Sequence, residues 1–439
     1  MNALFEKKLV SAETAVSALQ SNQSLYVGVI TSETPALLTE LARQKDRLKN
    51  VKIFGGFFLR DYDLLKREDM EGHFDILSFF YGAYEREAHK KGRVSFFPGN
   101  LGRNSLNILR ATQGELDVFW GVATPPNSRG YVSLSLGNVG EKHLIEHAKT
   151  VVLEINENLP WTFGDTLVHV SEVDYFVKNT LPLLEIPSLP KEPWQEKIGA
   201  NIADLIEDGS TLQFGIGGIP DAITAHLMNR KDLGIHTEML TSGIVDLYEA
   251  GVITNKRKTL WKDKIICCFI LGNKALYEFV DNNPIVEVHK GVVVNDPFTI
   301  GKNYKMISVN TALTVDISGQ VCSQSIGHNH YSGTGGQFEF HYGAQLSEGG
   351  KGIIALRSTA KGGTVSTIVP TLAPGSEVTV PSHLVDTIVT EYGAAELIGK
   401  SVKERMEALI KIAHPDFRDK IRAESEQLGL VPKKVMVAR

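Results

Sequence analysis

The chain has 439 residues, room for two or three domains at roughly 150 residues each. Its 46 Lys and Arg against 51 Asp and Glu leave a formal net charge of −5, which gives no reason to expect nucleic acid or an anionic membrane as partner. With 42% hydrophobic residues, 22% charged residues and no apolar run near the roughly 20 residues needed to span a bilayer, the composition is that of a globular protein.

The N-terminus carries Glu6 and Glu13 and lacks the apolar core of a secretory signal. Residues 12–19 read as a helix, 24–30 as a strand ending near Gly28, and 31–41 as a helix opening near Pro35. Further apolar, β-branched runs lie at 51–54 and 150–155. The stretch 185–193 carries Pro187, Pro190 and Pro193, which can continue neither a helix nor a central strand, and reads as an inter-domain linker. Beyond it the opening pattern recurs: a helix over 197–206, the turn Asp208-Gly209-Ser210, a strand from 211, and a glycine loop entering a helix that reaches 227. A strand over 264–271 follows. This alternation predicts an α/β fold of two domains with related topology, each an open, mostly parallel sheet flanked by helices. The expected bounds are 1–184 for the N-terminal domain, 185–193 for the linker and 194–439 for a C-terminal domain carrying the chemistry. Three cysteines, two of them adjacent in an apolar run (Cys267, Cys268) and a third at Cys322, make a disulfide framework unexpected. They predict buried, inert thiols in a reducing, cytoplasmic compartment.

The two halves differ in their first loop. Gly28-Val29-Ile30-Thr31 is ordinary, whereas Gly215-Ile216-Gly217-Gly218 can bring bare backbone N–H groups close to a ligand. Glu238 follows about 20 residues later, after the run 234–237. A dinucleotide fingerprint would place its ribose-binding acid there, but Pro220 occupies the third glycine position of that motif. Read from the residues alone, Glu238 is a ribose ligand, a nucleophile facing an oxyanion hole, or a solvated acid. Two further small-residue loops favour a long ligand with a reactive end and phosphates elsewhere. One runs from Tyr331 through Gly335 and Gly336 to Phe340; the other is Ser358-Thr359-Ala360-Lys361-Gly362-Gly363, before a strand over 364–370.

The motifs GIGGIPDAI (215–223), LGIHTEM (233–239), NNPIVE (282–287), VNDP (294–297), YSGTGGQFEF (331–340), STAKGGTVSTIVP (358–370), VTEYG (389–393) and AHPDFR (413–418) resemble, in order, those of the acetyl-CoA hydrolase/transferase family. EINENLP (154–160) and VHVSEVDY (168–175) extend the likeness more loosely into the first half. The likeness is greatest to the 4-hydroxybutyrate and butyryl-CoA:acetate CoA-transferase branches. The resemblance implies a ping-pong transfer of CoA between short carboxylic acids through a glutamyl-CoA thioester. It implies Glu238 as nucleophile and Asn295 as a holder of reacting carbonyls. Gln213, Phe214, Gly215, Ile216, Gly217, Leu313, Gly335, Gly336 and Lys361 become CoA-binding or oxyanion positions. Acyl-CoA and small carboxylic acids are then the partners, CoA is a substrate, no tightly bound cofactor or metal is expected, and a homodimer or homotetramer is the implied assembly.

The chain departs from the family where relatives have Pro-Arg-Thr: it reads Pro160-Trp161-Thr162. The loops Phe97–Leu101 and Pro125–Arg129 also differ. These lie in the half expected to cover the acyl pocket, so the acyl group is expected to differ, toward unsaturated, branched or longer chains. His328 and His330 flank Asn329 without a carboxylate pair and read as a polar loop rather than a metal site. His414-Pro415-Asp416 reads as a turn after a helix. Hydrolysis at the same Glu is the main competing activity; a nicotinamide oxidoreductase and a non-catalytic sensor are the others.

Overall fold

The protein is described here by a computed structural model covering residues 3–187, 190–215 and 217–431. By packing it forms two compact units: Met1–Pro187, His236–Val245 and Asp263–Asp296 make the first, and Ser188–Ile235, Asp246–Lys262 and Pro297–Arg439 the second. The proline-rich stretch coincides with the main crossing, with Ser188 and Leu189 outside the described residues. The split departs from a single boundary, however, because residues 236–245 and 263–296 pack with the first unit. The cause is main-chain pairing. Ile270 N–H donates to Leu136 O (2.8 Å), Asn138 N–H to Cys268 O (2.8 Å) and Gly291 N–H to Asn138 O (2.9 Å).

In the first unit, seven strands form one wholly parallel sheet: β1 (Ser24–Val27), β2 (Val51–Gly55), β3 (Phe74–Ser78), β4 (Val94–Phe96), β5 (Leu116–Ala123), β6 (Ala148–Ile155) and β7 (Tyr175–Lys178). Their spatial order is β7-β6-β5-β1-β2-β3-β4. Continuous burial along β1 and most of β5 is what a parallel sheet covered on both faces requires. The core groups Leu25, Val27, Ile53, Val118, Trp120 and Val152 of the strands with Leu37, Leu38 and Leu41 of the helix Pro35–Arg43.

The second unit holds a six-stranded sheet of β8 (Thr211–Phe214), β9 (Gly234–Ile235), β10 (Met306–Thr311), β11 (Lys351–Ala355), β12 (Thr387–Thr390) and β13 (Gly393–Glu396), in the order β9-β8-β10-β11-β12-β13. Only the β12–β13 pair is antiparallel. In both units the first strand lies between the second strand and a later one, so the strand order reverses at the first strand. This is the expected two-domain α/β architecture, and loops beyond such a reversal are where ligands bind in open parallel sheets.

Two expected strands are broken. The run 264–271 divides into Ile265–Cys267, which pairs with Val286–Val288, and Phe269–Ile270, which pairs with Met239–Leu240. The run 364–370 divides into Val365–Ser366 and Ile368–Val369. After the helix Val402–Ile412, His414 caps the short 3-10 turn Pro415–Phe417, as read from the sequence.

The glycines that open the two halves serve different ends. A Cβ on Gly28 would collide with the Ser32 carbonyl, so packing demands glycine there. A Cβ on Gly215 would meet nothing within 4 Å. Gly28→Ala is therefore expected to destabilise the protein by about 1–3 kcal/mol, and Gly215→Ala to leave stability within about 0.5 kcal/mol, both read from denaturant unfolding.

Buried carboxylates close loops in the first unit. Glu154 on β6 accepts from Leu37 N–H (2.7 Å) and Asn179 Nδ2 (2.6 Å). Burial pushes its pKa up from 4.5 to about 7, against the opposing pull of those hydrogen bonds. The folded state then holds a proton between about pH 4.5 and 7 that the unfolded chain has released. The stability this confers is complete below about pH 4.5 and lost as pH rises through about 7. Melting temperature across that range is expected to fall less steeply in Glu154→Gln than in wild type; parallel curves would show that the group does not titrate as buried.

Candidate active site

Within the first unit, the chain leaving β9 turns at Glu238, just before the strand Met239–Leu240. Two donors converge on the Glu238 carbonyl, Cys268 N–H (3.0 Å) and Phe269 N–H (3.1 Å), with Cys268 Sγ 3.3 Å away. This convergence is the reason the apolar run breaks at Cys268. One carbonyl takes both consecutive N–H groups, so the ladder cannot continue in step through that residue. On one side Thr237 N–H donates to Ile266 O (2.9 Å), and on the other Leu271 N–H donates to Leu240 O (3.1 Å). The backbone of Glu238 is held firmly while its side chain stays half-buried.

Asn295 comes from a second segment. It follows the helical turn Gly291–Val294, its N–H donates to Gly291 O (3.0 Å), and it is wholly buried. Its Nδ2 lies 2.6 Å from Glu238 Oε2. A hydrogen bond from a neutral amide to a carboxylate orients the acid. The Gly291–Val294 turn is anchored at its start: Lys290 pairs with Glu146 (2.8 Å), and a Cβ on Gly291 would collide with the Val139 carbonyl.

Just upstream, His289 sits between two acids, with Nδ1 3.1 Å from Asp165 and Nε2 3.0 Å from Glu287. Burial alone would lower its pKa, but the two carboxylates outweigh burial and raise it. Lys264 completes the cluster at 2.9 Å from Glu287. The main chain of Trp161 is bound by the turn after Val280: its N–H donates to Asp281 Oδ1 (2.7 Å) and its carbonyl accepts from Asn282 (2.8 Å).

The remaining expected positions lie in the second unit. Gln213 and Phe214 are buried on β8. The Gln213 side chain is engaged with β10, accepting from Ser308 Oγ (2.8 Å) and Asn310 Nδ2 (3.1 Å). Its role there is to lock the two strands under the loop. Gly215 and Gly217 follow β8, and Gly217 takes a φ of 114° that a side chain would strain. Ile216 lies outside the described residues. Leu313 follows β10, its N–H donating to Cys322 O (3.0 Å). Gly335 (φ 56°) and Gly336 precede the helix Gln337–Leu346. Lys361 is exposed at φ 48°, followed by Gly362 and Gly363, also at positive φ. Since β8, β10 and β11 are parallel, the loops that follow them leave one edge of the sheet, and a helix returning to the start of β11 begins near that edge.

The structure thus brings Glu238 and Asn295 into contact and gathers the glycine and lysine loops along one sheet edge of the second unit. Two residues near Glu238 were not singled out for a role from sequence: His236, inside a quoted motif, and Cys268, read as an inert thiol. Burial pushes the neighbouring Cys267 thiol far up, in keeping with an inert group. Among the described residues no group of three or more His, Cys, Asp or Glu could hold a metal ion. Among them too, no helix is long and apolar enough to cross a membrane.

Residues 1–185 match the family model of the acetyl-CoA hydrolase/transferase N-terminal domain, and residues 272–425 that of its C-terminal domain. The chain is 42% identical to the 4-hydroxybutyrate coenzyme A transferase of Clostridium kluyveri, over 96% of this chain and 98% of that protein. It is 40% identical to the succinyl-CoA:cyclohexane-1-carboxylate CoA transferase of Geobacter metallireducens, over 97% of each. Among solved structures, RipA from Yersinia pestis superposes with a TM-score of 0.93 at 35% identity, covering 98% of this chain and 100% of that one. The chain belongs to the acetyl-CoA hydrolase/transferase family and is an enzyme of the CoA-transferase class.

Proposed function

We propose that this enzyme moves CoA between short carboxylic acids, with 4-hydroxybutyrate, butyrate or a similar acid on one side and acetyl-CoA or another acyl-CoA on the other. Glu238 is the covalent nucleophile in this reading. The observation that carries it is the Asn295 Nδ2–Glu238 Oε2 hydrogen bond of 2.6 Å on an acid whose backbone is pinned and whose side chain is half-buried.

The chemistry balances without an outside energy source. A Glu238 oxygen attacks the thioester carbonyl, the C–S bond breaks, and CoA leaves as thiolate with an acyl–glutamyl anhydride behind. The thiolate then attacks the Glu238 carbonyl carbon, the anhydride C–O bond breaks, and the first acid departs as carboxylate. Glu238 now carries CoA as a thioester. A second carboxylate runs the same steps in reverse and leaves with CoA. Each intermediate stays activated, so no phosphoanhydride is spent. A carboxylate is a weak nucleophile, and its tetrahedral intermediates need donors to the developing oxyanion. Asn295 Nδ2 supplies one to oxygens at the Glu238 carboxyl. Gly215, Ile216, Gly217, Leu313, Gly335 and Gly336 are assigned to holding CoA. Lys361 is assigned to a CoA phosphate, with Gln213 and Phe214 setting the base of the first loop. Three buried cysteines outside any disulfide support a reducing, cytoplasmic setting.

Incubation with butyryl-CoA or acetyl-CoA and no acceptor acid is expected to leave CoA on the peptide containing Glu238, seen as an intact-mass increase and mapped by peptide mass spectrometry. Glu238→Ala is expected to lose the adduct and about a thousandfold or more in kcat. No adduct on wild type, or full activity in Glu238→Ala, would sink the mechanism. Asn295→Ala is expected to lower kcat by about a hundredfold or more with a smaller change in KM for acyl-CoA, because the amide acts where charge develops. A rise in KM alone would make Asn295 a binding residue.

A further inference from the structure

Two buried side chains hold the segments bearing Glu238 and Asn295 together without being exposed to a substrate. His236 stands two residues before Glu238 and is 0% exposed. Its Nε2 lies 2.8 Å from the carbonyl of Val294, the residue before Asn295. A carbonyl oxygen only accepts, so Nε2 carries the proton in that bond. The contact ties the two segments at one residue from Asn295 and two from Glu238. Cys268, also 0% exposed, works from a third segment. Its Sγ lies 3.3 Å from Glu238 O and 3.8 Å from Asn295 Oδ1.

These contacts bear on a choice that Asn295 must make. Its amide can present either end to Glu238. With Nδ2 toward the carboxylate it donates; turned over, Oδ1 faces a negatively charged oxygen and repels it. With the Glu238 carbonyl already taking two N–H groups, the one thiol proton is left for Oδ1 and favours the first arrangement, while the His236 bond to the Val294 carbonyl fixes the backbone from which the amide projects. We propose that His236 and Cys268 are positioning residues, His236 fixing the backbone that carries Asn295 and Cys268 holding its amide turned as a donor to Glu238. The proposal rests on the reading of Glu238 as nucleophile.

The test uses His236→Ala, His236→Gln, Cys268→Ala and Cys268→Ser in the full chain. Glutamine keeps an N–H donor at the end of its side chain, and serine keeps a donor in place of the thiol. Three readouts are taken: kcat, KM for acyl-CoA, and the rate at which CoA appears on the Glu238 peptide without acceptor. Both alanine variants are expected to lose roughly tenfold in kcat and in adduct rate, with KM for acyl-CoA within about twofold of wild type. Glutamine and serine are expected to restore most of the loss. Wild-type kcat in both alanine variants would overturn the proposal. So would a rise in KM that matches the fall in kcat, or loss that glutamine and serine fail to repair, since these mark a purely structural role. Where His236→Ala does not fold, the Cys268 pair carries the same comparison. Full activity in Glu238→Ala would remove the nucleophile and this proposal together. An inactive Glu238→Ala beside fully active His236→Ala and Cys268→Ala would remove the positioning roles alone.

Discussion

The hydrogen bond from Asn295 to Glu238 sets the terms for everything around it. A carboxylate that is to attack a thioester must be held at one angle yet stay reactive. An ammonium or guanidinium would hold it too, but would also stabilise its charge more strongly and so make it a poorer nucleophile. An amide gives direction at a smaller electrostatic cost. The amide must then be buried, fixed in orientation and supplied from a separate piece of chain. Asn295 is wholly buried, follows a helical turn anchored at Gly291, and meets Glu238 across 57 positions of sequence.

The chain crosses between its compact units several times. Residues 236–245 and 263–296 lie between segments of the second unit in sequence but pack with the first. The cost is a strand broken at Cys268. The return is a Glu238 carbonyl held by two consecutive N–H groups. A continuous strand would spend those two N–H groups on opposite sides of itself, since successive residues of a strand point their N–H groups in opposite directions. The break lets both turn toward one oxygen.

Much of the architecture was legible in the sequence, for physical reasons. β-branched runs alternating with amphipathic stretches suit a parallel sheet covered by helices, while Pro193, read as part of a linker, opens the helix Pro193–Ala203, where a proline at the first position fits. The open loop at Gly215 was legible because glycines there permit close backbone approach, while Gly28 needed the structure to show that a neighbouring carbonyl forces it. The break at Cys268 was not legible, since an apolar run shows burial and not which carbonyl its N–H groups will find. Nor was the membership of 236–245 and 263–296 in the first unit, which arises from hydrogen bonds to residues more than 100 positions away. Cys268 was read as inert because buried thiols usually are. Its place beside two functional groups is a fact of packing that composition does not carry.

The first unit also shows how the proposed nucleophile differs from its buried structural acids. Glu85 accepts from Phe58 and Gly82 N–H groups (2.7 and 3.0 Å), and Glu154 from Leu37 N–H and Asn179. Glu33 accepts from Leu59 N–H and the Tyr62 hydroxyl. Each is buried and serves as an acceptor for loop groups that lack a partner in the sheet. Burial pushes Glu85 and Glu154 up to about 7, so neither is reliably charged near neutrality. A nucleophile needs the reverse: its backbone fixed by others and its side chain open enough to reach a substrate. Glu238 has the fixed backbone and the half-open side chain, with Asn295 on one oxygen. The fold therefore holds the same residue type in two ways, by its side-chain oxygens in the buried clasps and by its main-chain carbonyl at Glu238.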